Sequence, residues 1–152
     1  MLFRSSIQRA IDGLEVRFLA NDDPSFTFVL MADLPDAHSE HAQGDEQIIS
    51  VAAEQIQVLN DRHSRGGEKP FALFFRSRMW NPNEGVWMAW ERKRGKIEEL
   101  NRYLLGEGET SLRLVAGEES RLKGVRYVIT LDSDSQLSRD VAKKLKIGRA
   151  HV

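Results

Sequence analysis

The sequence has no cysteine, and this absence removes several kinds of site at once. Disulfide frameworks, thiol nucleophiles and cysteine-based zinc sites are all excluded. A surplus of one charge is missing too, because 22 basic and 23 acidic residues leave a formal net charge of -1. General nucleic-acid binders need a basic surplus to neutralise phosphates, so nucleic acid is not expected as a partner.

Long apolar runs are also missing. No stretch approaches the roughly 20 apolar residues that a membrane-spanning helix requires, and the first residues lack the apolar core of a signal peptide. We therefore expect this stretch itself to be soluble, with any membrane spans of a longer polypeptide lying elsewhere. Its 152 residues, of which 41% are hydrophobic, suffice for one domain with a buried core.

The apolar pattern that is present predicts alternating strands and helices. Strands are predicted at residues 14–20, 26–32, 71–75, 112–115 and 126–131. Helices are predicted at residues 45–62, 92–105 and 138–145, and residues 80–90 are predicted to be an aromatic loop. This order implies an α/β fold with a mainly parallel sheet flanked by helices, in which ligands bind beyond the carboxyl ends of the strands.

Asp132 and Asp134 follow the predicted strand at 126–131 and are separated by one serine. Two carboxylates at this spacing can share a hard divalent cation, Mg²⁺ or Mn²⁺, which substrate phosphates often complete. Such a metal offsets the charge that builds on a diphosphate leaving group. The alternative is an ordinary turn, in which aspartate is common.

Basic residues crowd the start of the helix predicted at 92–105, where Lys96 follows Gly95. The positive end of a helix dipole favours an anion at such a place. The alternative is a solvated basic face paired with neighbouring glutamates. Asp33, at the end of another predicted strand, can accept hydrogen bonds from a nucleobase or ribose, or can simply belong to a turn.

The chain has three tryptophans, and all of them lie in the aromatic loop, at Trp80, Trp87 and Trp90. Exposed aromatic rings can stack on sugar faces. The alternatives are a small satellite core and a contact with polypeptide outside this chain.

The order of these motifs resembles a known family. LEVRFLAND, FVLMADLPDA, FFRSRMWNPNEGVWMAWERKRGKIEELNRYL and VRYVITLDSDSQLSRDVAKKL are similar to the glycosyltransferase domain of cyclic β-1,2-glucan synthases, glycosyltransferase family 84. The likeness covers residues 11–145. A looser one extends to processive β-glucan synthases, which share the basic helix followed by a strand and Asp-x-Asp.

The resemblance implies a GT-A-like fold and an inverting glucosyltransferase that moves glucose from UDP-glucose to a glucan acceptor. It implies that Asp132 and Asp134 hold the metal and diphosphate, that Lys96 approaches the UDP, and that Asp33 approaches its base or ribose. It also implies a bacterial parent polypeptide that is larger and membrane-bound, with this domain at the cytoplasmic face of the inner membrane.

Residues 1–145 are expected to be part of that domain, incomplete at both ends, with the general base that activates the acceptor hydroxyl lying beyond the chain. Residues 146–152 are expected to be a non-native tail, because IGRAHV is also the translation of a common sequencing adapter. The isolated chain is accordingly expected to lack transferase activity. Two alternatives stay open: a non-enzymatic α/β interaction module, and a phosphate-handling enzyme of another class.

Overall fold

The computed structural model describes residues 2–133, 135, 137–142, 144 and 145. Its helices are α1 (Leu2–Ala20), α2 (Asp45–His63) and α3 (Arg92–Leu105), and a short 3-10 helix covers Glu119–Leu122. Its strands are β1 (Phe28–Asp33), β2 (Phe71–Arg76), β3 (Met79–Asn81), β4 (Val86–Met88) and β5 (Leu112–Ala116). No helix in this part of the chain is long and apolar enough to cross a membrane.

The central sheet has the strand order β1-β2-β5 and is mixed. β1 and β2 are parallel, with a register that runs from Phe28 beside Phe71 to Asp33 beside Arg76. β5 pairs with β2 in the antiparallel sense, so the prediction of a mainly parallel sheet is wrong. The reason lies in the connection: the Ser77 amide donates to the Ser111 carbonyl at 2.9 Å, so β5 starts beside the carboxyl end of β2 and must run back.

Two hydrophobic clusters lie on opposite faces of this sheet, as the alternation of side chains along a strand requires. The larger cluster packs α1 and α2 against Phe71, Leu73 and Phe75. The smaller one packs Leu100 of α3 and Leu122 of the 3-10 helix against Phe74. All six residues of β2 are buried, which explains why its sequence is almost continuously apolar. The α/β prediction is therefore confirmed at the level of helices on both faces of a sheet.

The strand predicted at residues 14–20 is wrong, because these residues are the last part of α1. The alternation of apolar and charged residues that suggested a strand extends over only these few positions. Over a longer one, Ile7, Ile11, Leu14 and Phe18 recur at helical spacing, and all four are buried against the sheet.

The strand predicted at residues 126–131 is also absent from the described structure. These residues are β-branched and apolar, but a strand forms only where another strand supplies hydrogen bonds. Val128, Ile129 and Leu131 are instead exposed to between 41% and 46%. At residues 80–90 the structure adds order that was not predicted, since β3 and β4 form an antiparallel hairpin with Trp80 opposite Trp87.

The helix predictions agree with the structure more closely than the strand predictions do. α2 and α3 occupy the predicted ranges, and α3 is capped after Leu105 by Gly106, whose φ of 69° suits a glycine. Asp45 is the first residue of α2, and Gly44 occupies the cap position that was assigned to Asp45. In the predicted helix at 138–145, helical turns begin only at Val141. Residues 146–152 lie outside the described residues.

A buried ion pair ties the loop after β1 to the body of the protein. The Arg78 guanidinium donates to both carboxylate oxygens of Asp45, at 2.6 and 2.9 Å. It also donates to the carbonyls of Pro35 and Glu40, so one side chain fixes both ends of the loop. The hydrogen bonds from Arg78 hold the pKa of Asp45 below its ordinary value of 3.8, against an opposing effect of burial.

We predict that Asp45→Asn lowers the free energy of unfolding at pH 7 by about 3 kcal/mol, because it leaves the Arg78 charge buried without its partner. A carboxyl with a lowered folded-state pKa stabilises above its unfolded pKa, and this contribution is lost as pH falls through the folded value. The wild type should therefore lose stability below about pH 4, and the variant should lose less there. Urea unfolding across this range measures both effects.

The matched control is Glu46→Gln at the next position. Glu46 is exposed and pairs with the exposed Arg113 at 3.3 Å, so this change should alter stability by less than about 1 kcal/mol. Equal effects of the two substitutions would contradict the role given to the Arg78 pair.

Candidate functional site

The site begins with an ion pair across two parallel strands. Asp33 ends β1, Arg76 ends β2, and the sheet register puts them side by side. The Arg76 guanidinium donates from Nε to Asp33 Oδ1 at 2.7 Å and from one terminal nitrogen to Oδ2 at 3.1 Å. This two-bond geometry fixes the orientation of the carboxylate at the carboxyl edge of the sheet.

The Arg76 side chain is completely buried, and its remaining donors organise the start of α3. It donates to the carbonyls of Trp90 at 2.8 Å and Arg92 at 2.7 Å, and to Glu99 Oε2 at 3.2 Å. Burial lowers the pKa of Arg76, but the hydrogen bonds and charges of Asp33 and Glu99 outweigh it and the net shift is upward. The guanidinium therefore stays charged at the centre of this network.

The turn that Arg76 holds is strained. Glu91 and Arg92 have φ values of 49° and 42°, a region that residues with a side chain rarely adopt. Gly95 closes over the turn, and a Cβ at this position would lie 1.9 Å from the Trp90 carbonyl oxygen. Only glycine fits there, which explains the Arg-Gly-Lys sequence at the start of α3.

Two lysines of α3 reach the carboxylates that the sequence singled out. Lys96 Nζ lies 3.1 Å from Asp33 Oδ2 and 3.4 Å from the Met31 carbonyl. Lys93, one helical turn earlier, pairs with the Asp132 carboxylate. The predicted Asp33 and Lys96 are thus in direct contact, and Asp132 joins them through Lys93 on the same face of α3.

The segment that carries Asp132 is held by a residue of α1. One terminal nitrogen of Arg17 donates to the carbonyls of Ser133 at 3.1 Å and Ser135 at 2.7 Å. The arrangement brings Asp132 to α3 without the strand that was predicted to deliver it. Asp134 lies outside the described residues, so the predicted pair of carboxylates stays a prediction.

Asp132 carries the carboxylate that the sequence analysis linked to a hard cation. The Asp132 carboxylate is 53% exposed and pairs with Lys93, whose side chain is also exposed. A carboxylate that solvent can reach matches the oxygen donors that Mg²⁺ and Mn²⁺ prefer. Among the described residues, no three acidic or histidine side chains converge as a metal site.

The sequence patterns did not single out Arg76 or Glu99, although these two residues join β2, α3 and the start of β5. Glu99 accepts from the Ser111 amide at 2.6 Å and from its hydroxyl at 2.8 Å, which joins α3 to the start of β5. A signal for Arg76 was present, because it ends the strand FALFFR, whose other five residues are all apolar. A charged residue that continues such a strand must find a buried partner.

No protein-family model matches the chain. Among curated proteins, cyclic β-(1,2)-glucan synthase NdvB of Rhizobium meliloti (strain 1021) is 42% identical over 142 residues. The chain resembles a segment of this glucan synthase. The match covers 93% of the chain and 5% of NdvB, so the chain spans a small part of the length of that relative. The resemblance to cyclic β-1,2-glucan synthases that the motifs indicated is confirmed by this likeness to NdvB.

We predict that Arg76→Lys lowers the free energy of unfolding by about 3 kcal/mol. A single ammonium group cannot reach Asp33, Glu99 and the two turn carbonyls at once, so buried acceptors are left without donors. Chemical denaturation of the purified chain measures the change.

Arg94→Lys is the matched control, because Arg94 is an exposed residue of the same helix that pairs with Glu98 four positions on. Its effect should stay within about 0.5 kcal/mol. If the two variants were equally stable, Arg76 would not be the centre of the network.

Proposed function

We propose that the chain is part of a glucosyltransferase that transfers glucose from UDP-glucose to a growing β-1,2-glucan with inversion at the anomeric carbon. The observation that carries this proposal is the 42% identity to a cyclic β-(1,2)-glucan synthase over 93% of the chain. The clustering of Asp33, Lys96, Lys93 and Asp132 at one edge of the sheet supports a donor-binding role for this surface.

In this proposal Lys96 and Lys93 face the diphosphate of the donor. Lys96 has three N–H donors, of which Asp33 and the Met31 carbonyl engage two, so one remains for a phosphate oxygen. Lys93 is exposed and exchanges its pairing with Asp132 for the ligand. These two positive charges stabilise the negative charge that develops on the leaving diphosphate.

The contacts of Asp33 sharpen its proposed role. A carboxylate has about four lone-pair sites, and Arg76 and Lys96 use three of those on Asp33. One acceptor site is therefore left for a ribose hydroxyl or base N–H. The main role of Asp33 in this proposal is to position Lys96.

A divalent cation is the expected cofactor, with Asp132 and Asp134 as its protein ligands. Such an ion supplies Lewis-acid stabilisation of the diphosphate. The chain's own contribution is to keep Asp132 beside α3, where Lys93 and the carbonyl contacts of Arg17 position it.

The first test uses a chimera in which this chain replaces its matching segment in Rhizobium meliloti NdvB. We predict that membranes with the chimera incorporate labelled glucose from UDP-glucose into β-1,2-glucan. Lys96→Met in the chimera should lower incorporation by about 100-fold, the size expected when an electrostatic contact to the transition state is lost. Incorporation is compared at equal amounts of membrane-inserted protein.

Lys123→Met is the control, because this lysine is exposed and lies after the 3-10 helix, outside the proposed site. It should leave incorporation within about twofold of the chimera, as surface changes usually do. A fully active Lys96→Met chimera would refute the role of Lys96, and an inactive but well-inserted parent chimera would count against the proposed function.

The second test addresses donor and metal directly in the 152-residue chain. We predict that UDP binding, measured by calorimetry, requires Mn²⁺ or Mg²⁺ and is lost when Asp132 and Asp134 are both replaced by alanine. Asp12→Ala, an exposed change on α1, should leave binding unchanged. Metal-independent binding by a folded chain, or unchanged binding in the double variant, would contradict the metal assignment.

A further inference from the structure

A cavity lies beside the Trp90–Arg92 turn. It has a volume of about 520 Å³ and is bounded by the β3–β4 hairpin and the start of α3. Trp80 and Trp90 line it and are 51% and 37% exposed. None of the donor-binding residues proposed above belongs to its lining.

The lining mixes aromatic rings with groups of every hydrogen-bonding type. Asn83 offers an amide that both donates and accepts, Glu84 offers a carboxylate that accepts, and Arg92 offers a guanidinium that donates. Pyranose sugars have the same two-sided chemistry, because their C–H faces pack on aromatic rings while their hydroxyls project at the edges. Pockets that combine apolar walls with a few polar groups are typical of small-molecule sites.

Charge argues against a protein segment as the occupant. Arg92 and Glu84 line the cavity and pair with each other at 3.6 Å, and Arg92 also pairs with Asp36 at 3.3 Å. The centres of protein–protein interfaces are depleted of aspartate and glutamate, so the two carboxylates beside Arg92 are not typical of such a centre. A neutral ligand with many hydroxyls can accept from the guanidinium and donate to the carboxylates without disrupting their pairing.

Both walls of the cavity are fixed to the sheet before any ligand arrives. On one side, the amides and carbonyls of Ala37 and Trp87 exchange two hydrogen bonds, at 2.8 and 3.0 Å, which anchor the hairpin to the loop after β1. On the other side, Arg76 holds the carbonyls of Trp90 and Arg92. A preorganised pocket loses little conformational entropy on binding.

The cavity also adjoins the proposed donor site. Arg92 lines the cavity, and Lys96, which faces the donor in our proposal, lies one helical turn further along α3. The buried Arg76 contacts both the turn that bounds the cavity and the carboxylate that holds Lys96.

We infer that this cavity binds the β-linked glucan chain that accepts glucose, with Trp80 and Trp90 as its stacking platform. The inference rests on the proposed function, because it names the acceptor class that such an enzyme would hold. It assigns a role to the aromatic hairpin that is separate from the lysine cluster.

The test uses the intrinsic fluorescence of the 152-residue chain, because all its tryptophans lie in or beside this hairpin. A linear β-1,2-linked glucose tetrasaccharide is titrated in the absence of UDP and metal. We expect a saturable change in emission, and weaker binding of an α-1,4-linked tetrasaccharide of the same length. Trp80→Ala and Trp90→Ala should each weaken binding of the β-1,2 ligand by about tenfold, which corresponds to about 1.4 kcal/mol.

Leu105→Ala is the control variant, because Leu105 is a highly exposed apolar residue at the far end of α3. It should bind like the wild type. Thermal unfolding of every variant tests whether each is folded. A folded wild type that gives no saturable signal, or folded Trp80 and Trp90 variants that bind unchanged, would overturn the inference. Failure of UDP binding with intact glucan binding would refute the donor proposal alone, and the reverse result would refute the acceptor site alone.

Discussion

The buried guanidinium of Arg76 is the interaction on which the rest of this structure depends. It is the point where β1, β2 and the start of α3 meet, through Asp33, Glu99 and the carbonyls of Trp90 and Arg92. A charge without access to solvent is costly unless its hydrogen bonds are satisfied. Two carboxylates and two carbonyls satisfy it, so the network holds only if all three elements occupy their places together.

The strain in the turn before α3 follows from the same network. Positive φ values at Glu91 and Arg92 are unfavourable by themselves, and they persist because Arg76 binds the carbonyls on both sides of Glu91. Gly95 allows the helix to approach this turn. The outcome is a helix that begins with Lys93 and Lys96 on the same face, a result that helix propensity alone would not give.

The sequence predicted those parts of the fold in which local pattern and tertiary environment agree. Four elements lie near their predicted positions, namely β1, β2, α2 and α3. Their apolar residues have the spacing expected of an element with one or two buried faces. Residues 14–20 misled because a short alternation can occur inside a helix, and residues 126–131 misled because strand-forming side chains cannot form a strand without a partner. The direction of β5 depended on how Ser111 is held beside β2, which no local pattern encodes.

For the site, the sequence identified the residues at element ends but not the residue that joins them. The proximity of Asp33 and Lys96 could be expected from the sequence, because the family resemblance assigned both residues to the donor site. The structure shows their direct contact. Arg76 was not, because its role arises from the pairing of two strands that lie more than 40 positions apart in the chain. Similarly, the three tryptophans suggested an aromatic surface, but only the hairpin geometry placed Trp80 and Trp90 around one cavity.

The register of β1 against β2 has a consequence for how the protein folds. A slip by one residue would turn every side chain of a strand to the opposite face, and it would also separate Asp33 from Arg76. The misaligned sheet would then carry an uncompensated buried charge at the end of β2 as well as a misplaced core. The ion pair therefore favours the correct alignment of β1 with β2. When the core closes in this register, the carboxyl edge of the sheet is assembled at the same time.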